Sequence, residues 1–309
     1  MKLSIVSTLF HSSPYIKEFY CRVTAAAQEL VGDDYEIILV NDGSPDDSLR
    51  QAIELTDIDP HVVVIDLSRN FGHHKAMMTG LIHTSGQQVF LIDSDLEEDP
   101  ELLPVFAEQM AMDGSDMVYG IQVQRKGDIY EKVTGWIFYK IFRWLTGVPQ
   151  PNNIATVRLM SQRYVRALVS HQEREINIGG LFIITGFKQS TYKITKFSNS
   201  PTTYTIGKKV SHFFNAITSF SSLPLVSAFY IGSTISLSAC LYGLYLIVIF
   251  LSKTSVPSGY TSLIVSVWFF SGLIILFLGI QGIYLAKVFS EVKQRPYTII
   301  RNIYRKLDV

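Results

Sequence analysis

Short runs of aliphatic and β-branched residues recur over the first part of the chain, each followed by a longer stretch with helical spacing. Leu3 to Ser7, Glu36 to Val40, Val62 to Ile65 and Val89 to Ile92 read as strands, and Asp116 to Ile121 adds another. Pro14 to Leu30, Pro45 to Leu55 and His73 to His83 read as the helices between them. Several of these runs are continuously apolar rather than alternating, which marks strands buried on both faces. Residues 1–206 are therefore expected to form an α/β domain with a parallel-rich sheet and helices on both sides.

The pattern changes beyond that point. No Asp, Glu, Lys or Arg occurs from Val210 to Ser252, nor from Thr254 to Ala286. Within these stretches, residues 226–251 and 260–286 each exceed the ~20 residues needed to cross a bilayer. Buried core helices seldom run this long without a charge, so a two-helix transmembrane hairpin over 226–286 is expected. Pro257 and Gly259 mark its turn, and Gly232, Ser236, Gly243, Gly272 and Gly279 permit close helix contact. Lys208 and Lys209 precede the hairpin, and Lys287, Lys293, Arg295, Arg301, Arg305 and Lys306 follow it, whereas the turn offers only Lys253. That bias places both termini in the cytosol, with 287–309 as a basic tail. Two further segments, 129–145 and 207–225, combine aromatic and basic residues in the manner of interfacial amphipathic helices. Ordinary packing of these helices on the sheet is the alternative.

Bulk composition narrows the partners. The 309 residues carry a formal net charge of zero, which argues against a nucleic-acid binder that works by phosphate neutralisation. Cys21 and Cys240 have no spacing that suggests a metal or redox centre. The opening Met1-Lys2-Leu3-Ser4-Ile5-Val6 runs straight into a strand and lacks a signal-peptide plan.

Three polar clusters sit where predicted strands end, the edge at which open α/β sheets bind ligands. Asp93-Ser94-Asp95 follows Val89 to Ile92, with Glu97 just beyond; this spacing suits a hard divalent cation such as Mg²⁺ or Mn²⁺ that shares its coordination with phosphate oxygens. Acidic turns at strand ends are common, so the triplet alone is weak. Asn41-Asp42-Gly43-Ser44 follows Glu36 to Val40. It is either an Asx turn capping the next helix or a nucleoside contact through Asp42. Leu67-Ser68-Arg69-Asn70-Phe71-Gly72-His73-His74-Lys75 opens a helix, whose free N–H groups favour phosphate, and Arg69, His73 and Lys75 add positive charge. The adjacent histidines do not converge on one ion.

Taken together, NDGS, LSRNFG and LIDSDLEEDPE, followed by a cytosolic segment and two spans, resemble the family 2 glycosyltransferases that act on polyprenyl phosphate. These include bactoprenol glucosyltransferases and, more distantly, dolichyl-phosphate mannose synthases. The resemblance covers nearly the whole chain. It implies a GT-A fold, a divalent metal, a nucleotide-sugar donor (UDP by default), an undecaprenyl phosphate acceptor and inversion at the anomeric carbon. It also implies a bacterial inner-membrane location with the catalytic domain cytosolic, and a homo-oligomer is expected. On this resemblance Asp93, Asp95 and Glu97 would hold the metal. Thr8, Phe10, Asn41, Asp42, Gly43, Ser44, Arg69, Asn70, Asp93 and Ser94 would contact the donor. Arg125, Lys126, Lys132 and Arg158 are the candidates for the acceptor phosphate.

The chain also departs from the family pattern. Glu97 replaces the usual glutamine, Gln122 stands where an arginine is frequent, and Ala155-Thr156-Val157-Arg158-Leu159 replaces Gly-Asp-Phe-Arg-Leu. A carboxylate often proposed as catalytic is thus Thr156. Other readings remain at this level. A processive synthase needs QxxRW, for which Lys140-Ile141-Phe142-Arg143-Trp144 is a near miss. A transferase to diacylglycerol, or a non-catalytic membrane scaffold, would also carry two spans.

Overall fold

Every position of β1 (Leu3–Leu9) is shielded from solvent, polar Ser4, Ser7 and Thr8 included. Only a central strand covered on both faces requires this. The computed structural model describes residues 1–122, 153–173, 178–195, 223–251 and 259–306. In it, β1 pairs in parallel with β2 (Tyr35–Asn41) on one side and with β4 (Gln88–Leu91) on the other, and β3 (Val62–Leu67) extends the parallel set beyond β2. The helices α1 (Ile16–Val31), α2 (Ser48–Ile58) and α3 (His73–Ile82) connect these strands where the hydrophobic spacing predicts them.

The two faces of the sheet bury different side chains because strand residues alternate. Ile5, Ile37 and Leu39 pack with Phe19 and Val23 of α1 and with Phe106 of α4 (Leu102–Asp113). Val6, Ile38 and Val40 pack on the opposite face with Ala76, Met77 and Leu81 of α3. Each such buried Val, Leu, Ile, Phe or Met contributes roughly 1.5–3 kcal/mol relative to exposure.

The rest of the sheet is mixed. After β5 (Met117–Gln122), β6 (Ile154–Ser161) inserts antiparallel between β4 and β5. The chain continues through α5 (Gln162–Val169) and α6 (Ile178–Ile184) to β7 (Gln189–Ile194), which lies parallel to β5 at one edge. At the other edge β8 (Ile300–Arg305) pairs antiparallel with β3. The full order is β7-β5-β6-β4-β1-β2-β3-β8, so the parallel-rich sheet is as the pattern predicts. The basic segment 287–309 is more than a tail. Its Ile300 packs against the core that holds Val6 and Ile38, and its Tyr304 against the core on the opposite face, the register of β8 on β3 shifting at Asp66/Leu67 between them. Arginines at 301 and 305 hide this strand in the sequence.

A second unit comprises α7 (Leu223–Leu251) and α8 (Tyr260–Val292), which cover both stretches expected to span. Ser266–Val292 is long and apolar enough to cross a membrane. Its Trp268, Ile275 and Leu285 side chains lie exposed. A Cβ at Gly232 of α7 would sit 3.5 Å from the ring of Phe277 on α8, an ordinary contact distance, so this glycine marks where the two helices touch. The segment 129–145 lies outside the described residues, as do all but the last three residues of 207–225.

Candidate active site

The loops that follow β1, β2, β3 and β4 meet at one edge of the sheet, where β2 and β4 diverge to either side of β1. They enclose a cavity of about 320 Å³ lined by Thr8, Phe10, Ser12, Asp42, Asn70, His73, Asp93, Ser94 and Asp95. Six of the expected donor residues, Thr8, Phe10, Asp42, Asn70, Asp93 and Ser94, are thus brought together, and Asp95 with them. The Phe10 ring stands half exposed at this wall.

The NDGS and RNFG turns are built as one piece. The buried Asp42 carboxylate accepts from Phe71 N–H at 2.7 Å and from Gly72 N–H at 3.0 Å. Burial pushes its pKa up, and those two backbone donors oppose the shift. Gly43 has φ +62°, and a Cβ there would lie 2.5 Å from the backbone nitrogen of Asn70, so no other residue fits without displacing the facing turn. Asn41 does not line the cavity: it is buried and donates to Asp66 Oδ1 at 2.8 Å. Ser44 accepts from His11 N–H at 2.8 Å and donates to Asp46 at 2.6 Å. Burial would raise the Asp46 pKa, but the hydroxyls of Ser44 and Ser48 and the N–H groups of Ser48 and Ser13 outweigh it and hold the carboxyl at about 2. Arg69 is exposed, with its guanidinium 4.2 Å above the Phe71 ring.

At the end of β4 the acidic residues separate into distinct roles. Asp93 Oδ1 is buried and accepts no hydrogen bond. A carboxylate oxygen left so is costly, and it is a suitable donor for a hard cation. Asp95 lines the same cavity, and its Oδ1 accepts from the Glu97 N–H at 3.0 Å. The pair fits a divalent ion that takes its remaining ligands from phosphate. Among the described residues no three His, Cys, Asp or Glu side chains converge as a metal cluster, and Glu97 is not part of the cavity lining. Ser94 is buried and acts as a staple: its hydroxyl donates to the Thr8 carbonyl oxygen at 2.9 Å and lies 2.9 Å from the Ser12 hydroxyl.

Two residues at this site have specific contacts that the sequence does not announce. Glu98 is fully buried and accepts from Thr156 N–H at 3.0 Å and from Val157 N–H at 2.8 Å, tying the acidic loop to β6. Only its neighbours Asp95 and Glu97 stood out by spacing. His73 read as a general positive charge, but its ring has a specific place, with Nδ1 3.0 Å from Thr8 Oγ1 and Nε2 3.4 Å from Asp93 Oδ1.

His73 also lines a second cavity of about 290 Å³, together with His74, Tyr119, Thr156, Arg158, Phe182 and Gln189. Arg158 is buried there and donates to the carbonyl oxygens of Thr156 at 2.8 Å and Ala155 at 2.9 Å. Its guanidinium centre lies 3.5 Å from the Phe182 ring centroid, and burial lowers its pKa to about 10. Arg125, Lys126 and Lys132 lie outside the described residues.

The sequence pattern of the family described as "Glycosyl transferase family 2" matches residues 4–170, the segment that carries all three polar clusters. The mixed, mostly parallel sheet is the GT-A-like arrangement that accompanies it. A Mycobacterium tuberculosis (strain CDC 1551 / Oshkosh) protein whose name goes no further than glycosyltransferases is 50% identical over 304 residues, covering 98% of this chain and 89% of its own length. The uncharacterized glycosyltransferase YkcC of Bacillus subtilis (strain 168) is 32% identical, with 98% and 94% covered. The bactoprenol glucosyl transferase of Shigella phage SfII is 32% identical over 319 residues, with 99% of each chain covered.

Proposed function

This chain belongs to glycosyl transferase family 2, and on that premise we propose that it moves a sugar from a nucleotide-sugar, by default a UDP-sugar, to a polyprenyl phosphate in the membrane. The observation that carries the proposal is the buried, unbonded Asp93 oxygen beside Asp95 in a cavity formed by the ends of four parallel strands. The full-length similarity to a bactoprenol glucosyl transferase supports the acceptor class.

In this reading Phe10 and Asp42 flank the nucleoside, and Asp93 and Asp95 would hold a Mg²⁺ or Mn²⁺ ion against the diphosphate. Such an ion, when bound, supplies charge stabilisation to the departing nucleoside diphosphate. The acceptor is a phosphomonoester, whose second pKa near 6 leaves it largely ionised at neutral pH. It therefore needs placement rather than a general base, consistent with Thr156 at the position where an aspartate is usual. A phosphate oxygen of the acceptor attacks the anomeric carbon and forms the new C–O bond. The bond to the diphosphate breaks with its electron pair, and the configuration inverts. Arg158, Arg125, Lys126 and Lys132 are the cations proposed to orient that phosphate.

We place the acceptor's lipid beside α7 and α8, proposed as a membrane-crossing hairpin with the catalytic domain cytosolic. The exposed apolar side chains of α8 support this. The test is transfer of labelled sugar from UDP, GDP and dTDP donors to undecaprenyl phosphate, with Mg²⁺, Mn²⁺ or EDTA. The proposal expects a chloroform-soluble product that disappears with EDTA. Folded protein in lipid that yields no product from any donor overturns it.

A further inference from the structure

A buried carboxylate at the end of β3 connects the C-terminal strand to both turns of the donor cavity. Asp66 is 1% exposed. Its Oδ1 accepts from the Asn41 side-chain amide at 2.8 Å, and its Oδ2 lies 3.3 Å from Nη1 of Arg301 on β8. Arg301 donates through Nη2 to the Ser68 carbonyl oxygen at 2.7 Å. Asn41 in turn accepts through Oδ1 from the Ser44 N–H at 3.2 Å, which closes the NDGS turn. The same C-terminal segment is seated by a bond from Ser68 N–H to the Ile299 carbonyl oxygen at 2.9 Å.

We infer that Arg301 is a positioning residue for the donor cavity: by pairing with Asp66 it holds the NDGS turn and the Ser68–Gly72 loop at the separation that a nucleoside diphosphate group requires. The inference rests on reading that cavity as the donor site.

Three features support it. The two turns have no slack, because the missing Cβ of Gly43 would already touch Asn70 backbone at 2.5 Å. A shift of either turn therefore moves the other, and with them Asp42 and Asn70 in the cavity wall. Asp66 faces one neutral donor, Asn41, and one cation, Arg301; without the cation a buried charge is left without its counter-ion, and the loop must move to hydrate it. Finally, the guanidinium bridges two different acceptors, the Asp66 carboxylate and the Ser68 carbonyl, a fork that a lysine ammonium does not reproduce. Arg301 is itself half exposed, and β8 is held by its backbone ladder, so the side chain is dispensable for the sheet.

The test measures binding of UDP, GDP and dTDP, each with Mg²⁺, to the detergent-solubilised full-length chain by titration calorimetry, alongside donor KM and kcat. The expected result is that Arg301→Ala weakens the bound nucleotide by about tenfold and raises donor KM, while kcat at saturating donor stays within about twofold and Tm falls by only a few degrees, because the loop opens to hydrate Asp66 while the β8 ladder stays intact. Arg301→Lys should recover part of the affinity. In an Asp66→Asn background the additional effect of Arg301→Ala should shrink, because the charge to be paired is gone. Unchanged nucleotide affinity in Arg301→Ala overturns the inference, as does a loss that merely tracks a large fall in Tm. A wild-type chain that binds none of the three nucleotides overturns the donor-site reading itself, and this inference with it.

Discussion

The His73 imidazole stands 3.4 Å from Asp93 through Nε2 and 3.0 Å from Thr8 through Nδ1, so one ring spans the ends of β4 and β1 and forms the wall shared by both cavities. Asp93→Asn keeps the shape of the acid and removes its charge. Transfer is expected to fall by about 100-fold or more, the scale of several kcal/mol of charge stabilisation, while Tm stays close to that of the parent chain because the replacement keeps the side-chain shape. His73→Ala should cost about tenfold in kcat/KM through the lost contact to a charged group. Steady-state rates with thermal melts check both, and wild-type rates in Asp93→Asn would remove the acidic pair from the mechanism.

Gly43 makes a sharper test of the interlocked turns. Its φ of +62° alone costs an alanine about 1–2 kcal/mol, and the added Cβ also meets Asn70 backbone. Gly43→Ala should lower Tm by several degrees and raise donor KM more than it lowers kcat, since it displaces Asp42 and Asn70 rather than the acidic pair. Donor saturation curves separate the two effects.

How much of this was legible in the sequence depends on whether each residue's partners are local. The strands β1 to β4 announce themselves because burial on both faces leaves unbroken apolar runs, as in Val89 to Ile92. The residues at their C-terminal ends then fall at one sheet edge by topology alone, which is why six of the ten residues expected to contact a donor line one cavity. What stayed hidden depends on distant pairing. Strand β8 carries as many polar residues as apolar ones, and it is defined by its antiparallel register with β3 rather than by a pattern of its own. Asn41 and Ser44 sit in the right motif but turn inward to Asp66 and Asp46, and Glu98, beside the conspicuous DSD triplet, reveals its role only once β6 is laid against it.

Glu98 carries its own prediction. Both of its carboxylate oxygens accept backbone N–H groups, from Thr156 and Val157, at a site with no solvent access. Glu98→Gln supplies one oxygen and one NH₂ where two acceptors are needed, so one N–H loses its partner at a cost of about 1–3 kcal/mol. A Tm lowered by several degrees is expected, with reduced transfer because Thr156 and Arg158 share that strand. An unchanged melt would mean that β6 holds its place without the acidic loop.

Acid stability offers a last test, through two aspartates whose shifts oppose each other. Folding lowers the Asp46 pKa from 3.8 to about 2, so between these values the unfolded chain binds the proton more readily. Asp46 therefore contributes stability that is fully present above about pH 5 and is lost as pH falls towards 2, on the order of 1 kcal/mol in total once solvent screening at this partly exposed site is allowed for. Asp42 runs the other way: burial raises its pKa, so its contribution favours the folded state at low pH and is lost as pH rises through the folded value. The acid limb of a pH–stability curve should accordingly become shallower in Asp46→Asn, which loses its stability at neutral pH and has none of that share left to lose in acid. Urea melts from pH 7 to pH 3 read this directly. Parallel acid limbs for the two proteins would mean that the Ser44, Ser48 and Ser13 donors do not favour the ionised carboxylate.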